Sequence, residues 1–184
     1  MKRNRILILI TGVIAATLVA ASLAVADDHG GRNSVKGDSG LIGYNEAPPI
    51  STTARGSFKA RIDTAGQRIT YELSYRNLSS TALFSHIHFG QRGVNGGVSA
   101  FLCGGGGKPA CPATEGTVTG TIVPADVLNT VAGSVAQGIA AGEFTELIKA
   151  IRAGRTYANV HSTNFPGGEI RAQLEKRGRH GGKH

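Results

Sequence analysis

The chain has 184 residues, with 20 Lys and Arg against 12 Asp and Glu for a formal net charge of +8, which allows one domain of ordinary size. The charge sits at the ends: Lys2, Arg3 and Arg5 open the chain, Lys176, Arg177, Arg179 and Lys183 close it, and residues 37–175 hold 11 basic and 10 acidic residues. A nucleic-acid binder concentrates charge on its folded part beside aromatic platforms, so this pattern argues against nucleic acid as a partner.

At the amino terminus the basic residues precede an apolar run from Ile6 to Ala21 and a small-x-small motif, Ala24-Val25-Ala26. This is the pattern of a secretory signal over residues 1–26, cleaved before Asp27. The residue directly after the cleavage point is Asp27 and not a cysteine, and no later apolar run is long enough to span a bilayer. The expectation is an exported protein, periplasmic or extracellular, with no stable membrane anchor; retention of residues 1–26 as an uncleaved anchor is the alternative. Cleavage would make His29 the third residue, where an α-amine, two amides and an imidazole offer a square-planar nitrogen set for Cu(II) or Ni(II). Residues 27–53 read as a flexible, glycine-rich lead-in, extended from Leu41 to Pro49.

The strand signals begin at Arg55. Residues 55–63 alternate with Phe58, Ala60 and Ile62 inward, residues 64–66 turn, and Ile69, Tyr71, Leu73 and Tyr75 share one face of the next run. The expectation is a half-buried antiparallel hairpin. A third strand, 82–89, contains Phe84-Ser85-His86-Ile87-His88-Phe89. Side chains alternate on a strand, so His86 and His88 share a face and Ile87 takes the other.

The loop 90–97 is rich in turn residues and leads to a short apolar strand, Val98–Cys103. Cys103 and Cys111 flank Gly104-Gly105-Gly106-Gly107-Lys108-Pro109-Ala110, and in an oxidising compartment so close a pair reads as a disulfide. The glycine run is no phosphate loop, because Pro109 stands where Ser or Thr must follow the lysine. Residues 116–123 form another strand and Pro124-Ala125-Asp126 turns the chain out of the sheet. Phe144, Leu147, Ile148 and Ile151 recur at helical spacing, predicting a helix near 142–153 that ends at Gly154 and caps an open side of the sheet. Strands 156–162 and 169–174 follow around the loop 163–168, and residues 176–184 read as a disordered basic tail carrying His180 and His184. The fold class over residues 54–175 is therefore all-β and mainly antiparallel, with one capping helix.

His161 lies on the face of its strand opposite Ala158 and Val160, and with His86 and His88 it completes a set of three imidazoles suited to copper or zinc. Tyr157, Asn159, Glu169 and Arg171 are the candidates for hydrogen bonds behind that set. The competing reading keeps the histidines structural, hydrogen-bonded to neighbours such as Glu169 or Asn159. The loops 90–97 and 163–168 would then serve a non-catalytic module that contacts a protein or matrix component. No catalytic residue is assigned: there is no nucleophile elbow and no cysteine free to act, and Glu72, Glu115 and Glu169 show no recognisable pairing.

Several separated motifs occur in a familiar order: His86-Ile87-His88-Phe89-Gly90, Gly93-Val94-Asn95-Gly96, Phe101-Leu102-Cys103, Ile151-Arg152-Ala153-Gly154, Tyr157-Ala158-Asn159-Val160-His161-Ser162 and Phe165-Pro166-Gly167-Gly168-Glu169-Ile170-Arg171-Ala172-Gln173-Leu174. Over Ala54 to Leu174 the chain resembles the chordin-type domain, CHRD. The resemblance implies an exported antiparallel β-sandwich or barrel without established enzymatic activity, and by itself implies no ligand. The His86-Ile87-His88 strand is also similar to the copper-ligand strand of copper/zinc superoxide dismutase. That similarity is local, because no histidine between His88 and the helix matches the bridging or zinc-site ligands, and the two cysteines close a short loop of their own.

Overall fold

The computed structural model describes residues 33–37, 40–130 and 136–176. The segment 1–26 expected to be a signal, His29, His180 and His184 lie outside these residues. The strands are β1 (Ser34–Gly37), β2 (Leu41–Ile42), β3 (Arg55–Asp63), β4 (Arg68–Arg76), β5 (Ala82–Phe89), β6 (Gly97–Cys103), β7 (Gly116–Ile122), β8 (Thr156–Ser162) and β9 (Ile170–Lys176), with one helix, α1 (Phe144–Arg152). The strands run β6-β5-β8-β9-β1-β3-β4-β7, and β2 pairs with both β3 and β9.

The hairpin forms as its alternation predicts, from Arg55 opposite Arg76 to Asp63 opposite Arg68. Its turn is held by Asp63 Oδ1, which accepts a 2.8 Å hydrogen bond from the Gly66 amide. Phe58, Ile62, Ile69, Leu73 and Ile122 are buried while Lys59, Arg61, Glu72 and Thr119 face out, so β3, β4 and β7 alternate between core and solvent.

Part of the segment read as a flexible lead-in is built into the sheet. β1 lies between β3 and β9, with Val35 opposite both Ala60 and Lys176. This strand and β2 join the two halves of the molecule, yet Ser34-Val35-Lys36-Gly37 offers a single apolar side chain and no period. The ends of the strand path are brought together by tyrosines. Tyr71 of β4 donates a 2.7 Å hydrogen bond to the Leu102 carbonyl of β6, and Tyr75 donates one of 2.5 Å to the Pro112 carbonyl. The result is a mostly antiparallel β-sandwich.

Helix α1 buries Phe144, Leu147, Ile148, Ala150 and Ile151, carries Lys149 and Arg152 in its last turn, and ends at Gly154, whose φ is 66°. No helix among the described residues is long and apolar enough to cross a membrane.

Cys103 and Cys111 form a disulfide with 5.0 Å between their Cα atoms. Across the same loop, Lys108 pairs with Asp126 at 2.8 Å and donates to the Thr121 carbonyl at 2.7 Å, fastening the loop to β7. A closed loop of this size restricts the unfolded chain by roughly 2.5 kcal/mol. Replacing both cysteines by serine is expected to lower the unfolding free energy by about that amount in urea titrations; a loss below about 0.5 kcal/mol would contradict the loop-closure account.

Candidate metal centre

β5, β8 and β9 depart from the alternation seen in the hairpin. All seven residues of β8 are buried, as are the first five of β9. One face of these strands enters the apolar core through Ile87, Ala158, Val160, Ile170, Ala172 and Leu174. The other face carries His86, His88, Tyr157, Asn159, His161, Arg171 and Gln173, each at most 7 % exposed. It is covered by the loop after β5, the loop before β9 and the segment that follows β2.

Strand pairing places the histidines. His86 stands opposite Asn159, His88 opposite Tyr157, and His161 opposite Phe84, so His161 is a diagonal neighbour of His86 on one face. His86 Nδ1 and His161 Nε2 are 3.2 Å apart. One ring nitrogen from each of the three histidines lies within 4.8 Å of the others. Phe84 packs against His86 and His161, and Phe101 meets the His86 ring edge-on, with centroids 4.4 Å apart.

Backbone carbonyls fix two of the tautomers. His161 Nδ1 lies 2.9 Å from the Pro166 carbonyl and His88 Nδ1 lies 3.0 Å from that of Gly96. A carbonyl only accepts, so each Nδ1 carries the proton, and each neutral ring keeps its lone pair on Nε2. His88 Nε2 is buried without a hydrogen-bond partner, and His161 Nε2 sits beside His86 Nδ1 and 3.0 Å from Asn159 Oδ1.

Of the residues expected behind the histidines, three are in place. Tyr157 lies flat on His88, centroids 4.6 Å apart and planes within 2°. The Arg171 guanidinium is 3.3 Å from the centre of the Tyr157 ring and donates to the carbonyls of Gln91 and Val94, which holds the loop over the site. Asn159 touches His161 directly. Glu169 is engaged elsewhere: it accepts from the Thr52 hydroxyl at 2.8 Å, the Ser79 amide at 2.9 Å and the Ser79 hydroxyl at 3.1 Å. Its strand face was legible, but its partners come from distant loops.

Glu46, which the sequence reading did not single out, enters the site from the turn after β2. It is 5 % exposed, its carboxyl takes a hydrogen bond from the Asn159 side chain, and its Oε1 has no partner. No signal in the sequence marks it, because its position depends on β2 and on a 3.1 Å hydrogen bond from Asn45 Nδ2 to the Arg171 carbonyl.

A family model for the CHRD domain matches residues 38–174, well over half of the chain. The chain belongs to the CHRD domain family. No curated protein and no solved structure matches it. In this CHRD domain the match takes in all three histidines, Glu46, Asn159 and the disulfide.

Burial moves the titrations of the site in opposite directions. Desolvation, with the neighbouring rings adding to it, lowers His86 from 6.5 to about 3, and desolvation lowers His88 to about 4; His161 is lowered for the same first reason. Burial raises Glu46 from 4.5 to about 7, opposed by Arg171 and the Asn159 hydrogen bond. Folded histidines bind protons less tightly than unfolded ones, so their stabilisation is present above pH 6.5 and is lost as pH falls toward 4 and 3. For Glu46 the sign reverses: its contribution is full below 4.5 and lost as pH rises through 7. The two windows overlap and oppose each other between pH 4.5 and 6.5. Melting curves of the protein in chelator should therefore show a midpoint that falls as pH drops below 6.5, and falls more steeply in Glu46→Gln, which removes the opposing contribution. A midpoint that stays level from about pH 6.5 down to 4 would rule out neutral buried histidines.

Proposed function

We propose that this CHRD domain is exported and holds a transition-metal ion, copper or zinc, through His86, His88 and His161. The observation that carries the reading is the convergence of three buried imidazoles, two with Nδ1–H engaged by carbonyls and Nε2 left as a lone pair. Carbonyl-oriented imidazoles are the usual preparation of metal-binding histidines, since the outer hydrogen bond fixes both ring and tautomer. Copper and zinc are the metals that favour such nitrogen donors. The disulfide supports an oxidising compartment and hence export.

A second reading has its own support. His86 Nδ1 can donate to His161 Nε2 across 3.2 Å, which would lock β5 to β8 without an ion. The domain would then be an interaction module whose loops 90–97 and 163–168 contact a protein or matrix component.

The two are separated by metal content. Residues 33–176, which exclude His29, His180 and His184, should bind about one equivalent of copper or zinc. His86→Ala and His161→Ala should lower that to background by atomic emission. Metal at a hundred times its dissociation constant should also stabilise the fold by about 2.7 kcal/mol. Absence of retained metal in the unsubstituted protein would leave the interaction module as the function.

A further inference from the structure

Asn159 is in contact with both the histidine cluster and Glu46, and the chemistry of its neighbours sets which way its amide faces. Asn159 Nδ2 is on the Glu46 side: Nδ2 and Glu46 Oε1 converge beside Gly168, 3.0 and 2.5 Å from where a Cβ on that glycine would stand. That orientation turns Oδ1 toward the cluster, 3.0 Å from His161 Nε2. His161 Nδ1–H is engaged by the Pro166 carbonyl, so in the neutral ring a nitrogen lone pair faces an oxygen lone pair with no proton between them. A proton on His86 Nδ1, 3.2 Å from His161 Nε2, meets the nitrogen lone pair in the metal-free protein, whereas a cation would meet both acceptors at once.

The spacing fits a cation. Asn159 Oδ1 and His86 Nδ1 lie 3.0 and 3.2 Å from His161 Nε2. Donors about 2.0–2.1 Å from one ion stand about 2.9 Å apart in a square plane and about 3.3 Å apart in a tetrahedron. His88 Nε2, buried and without a partner, faces the same cluster from the next position along β5.

Glu46 is held where it can orient the amide. A Cβ on Gly168, whose φ is +127°, would stand 2.5 Å from Glu46 Oε1 and 3.0 Å from Asn159 Nδ2. A glycine is therefore required for the carboxyl to reach the amide. The Glu46 carboxyl also offsets the charge of Arg171, which a cation in the cluster would otherwise face alone from this side.

We infer that Asn159 Oδ1 is a fourth donor to the ion held by His86, His88 and His161, with Glu46 as the positioning residue that turns this oxygen inward. The inference rests on the metal reading above and adds a neutral oxygen to three nitrogens. Such a set favours Cu(II) and Zn(II) over Cu(I), which prefers softer ligands.

The test uses the full chain carrying His29→Ala, His180→Ala and His184→Ala. Zn(II) affinity is measured by chelator competition and the Cu(II) site by electron paramagnetic resonance. Asn159→Ala should weaken Zn(II) at least about tenfold and alter the Cu(II) g∥ and A∥ values, and Asn159→Asp, which keeps an oxygen donor, should restore or tighten binding. Glu46→Leu should weaken binding by about 10–100-fold, and Glu46→Gln, which keeps an acceptor for the amide, by less than about threefold. If Asn159→Ala fails to melt cooperatively, Asn159→Asp and Glu46→Leu decide the matter. Unchanged affinity and an unchanged copper spectrum in Asn159→Ala, with one ion bound to the parent chain, would overturn the fourth donor alone. A parent chain that binds no ion would overturn the three-histidine site itself.

Discussion

The burial of β8 on both faces is the constraint on which the rest of the structure depends. An antiparallel sheet commonly gives one face to water, as β3, β4 and β7 do here, and its polar side chains then find partners without help. β8 and the first five residues of β9 have no such outlet. Each polar group on their outer face must be matched within the protein, because a buried donor or acceptor left alone costs about 1–3 kcal/mol. The loops are shaped by this demand. Gln91, Val94, Gly96 and Pro166 present carbonyls to Arg171, His88 and His161, while Gln173 donates to the carbonyls of Gly90 and Gly154.

The matching is uneven, and the unevenness has a pattern. Donors on this face are nearly all satisfied, whereas Glu46 Oε1, His88 Nε2 and Gln173 Oε1 are acceptors without partners. An excess of buried lone pairs around neutral imidazoles is the signature expected of a place that receives positive charge. Arg171 already supplies one charge, stabilised by the Tyr157 ring on which it rests. Tyr157 in turn lies against His88, so the aromatic ring separates the resident cation from the cluster while keeping the imidazole parallel to it.

How far the sequence could reach follows from which effects are local. Period-two alternation placed His86, His88 and His161 on the right faces, and turn chemistry and helical spacing located the hairpin and α1, because these patterns need only neighbouring residues. The CHRD-type motifs carried the sandwich-or-barrel architecture. β1 was invisible, since four residues with one valine acquire strand geometry only by pairing with β3 and β9 on either side. Glu46 was invisible for a related reason: its burial is imposed by the tertiary path of the turn after β2. Glu169 shows the opposite limit. Alternation correctly put it beside Arg171 and Gln173 in the sequence pattern, but where a side chain at a strand end finds its partners depends on the loops that pass there, here those of Thr52 and Ser79.

The same reasoning bears on the relation between the two functional readings. An interaction module would use the loops 90–97 and 163–168, yet these loops are tethered to the polar layer through Nδ1 of His88 and His161 and through Arg171. A metal ion in the proposed site would take the opposite, Nε2 edge of those rings, and so would leave every loop tether intact. It would also replace the single His86–His161 hydrogen bond by bonds to all three rings, stiffening the strands from which the loops emerge. Metal binding and loop-mediated contact are then compatible on physical grounds: the ion would set the rigidity of the platform while the loops supply the surface, and the side of the imidazole each one uses keeps them from competing.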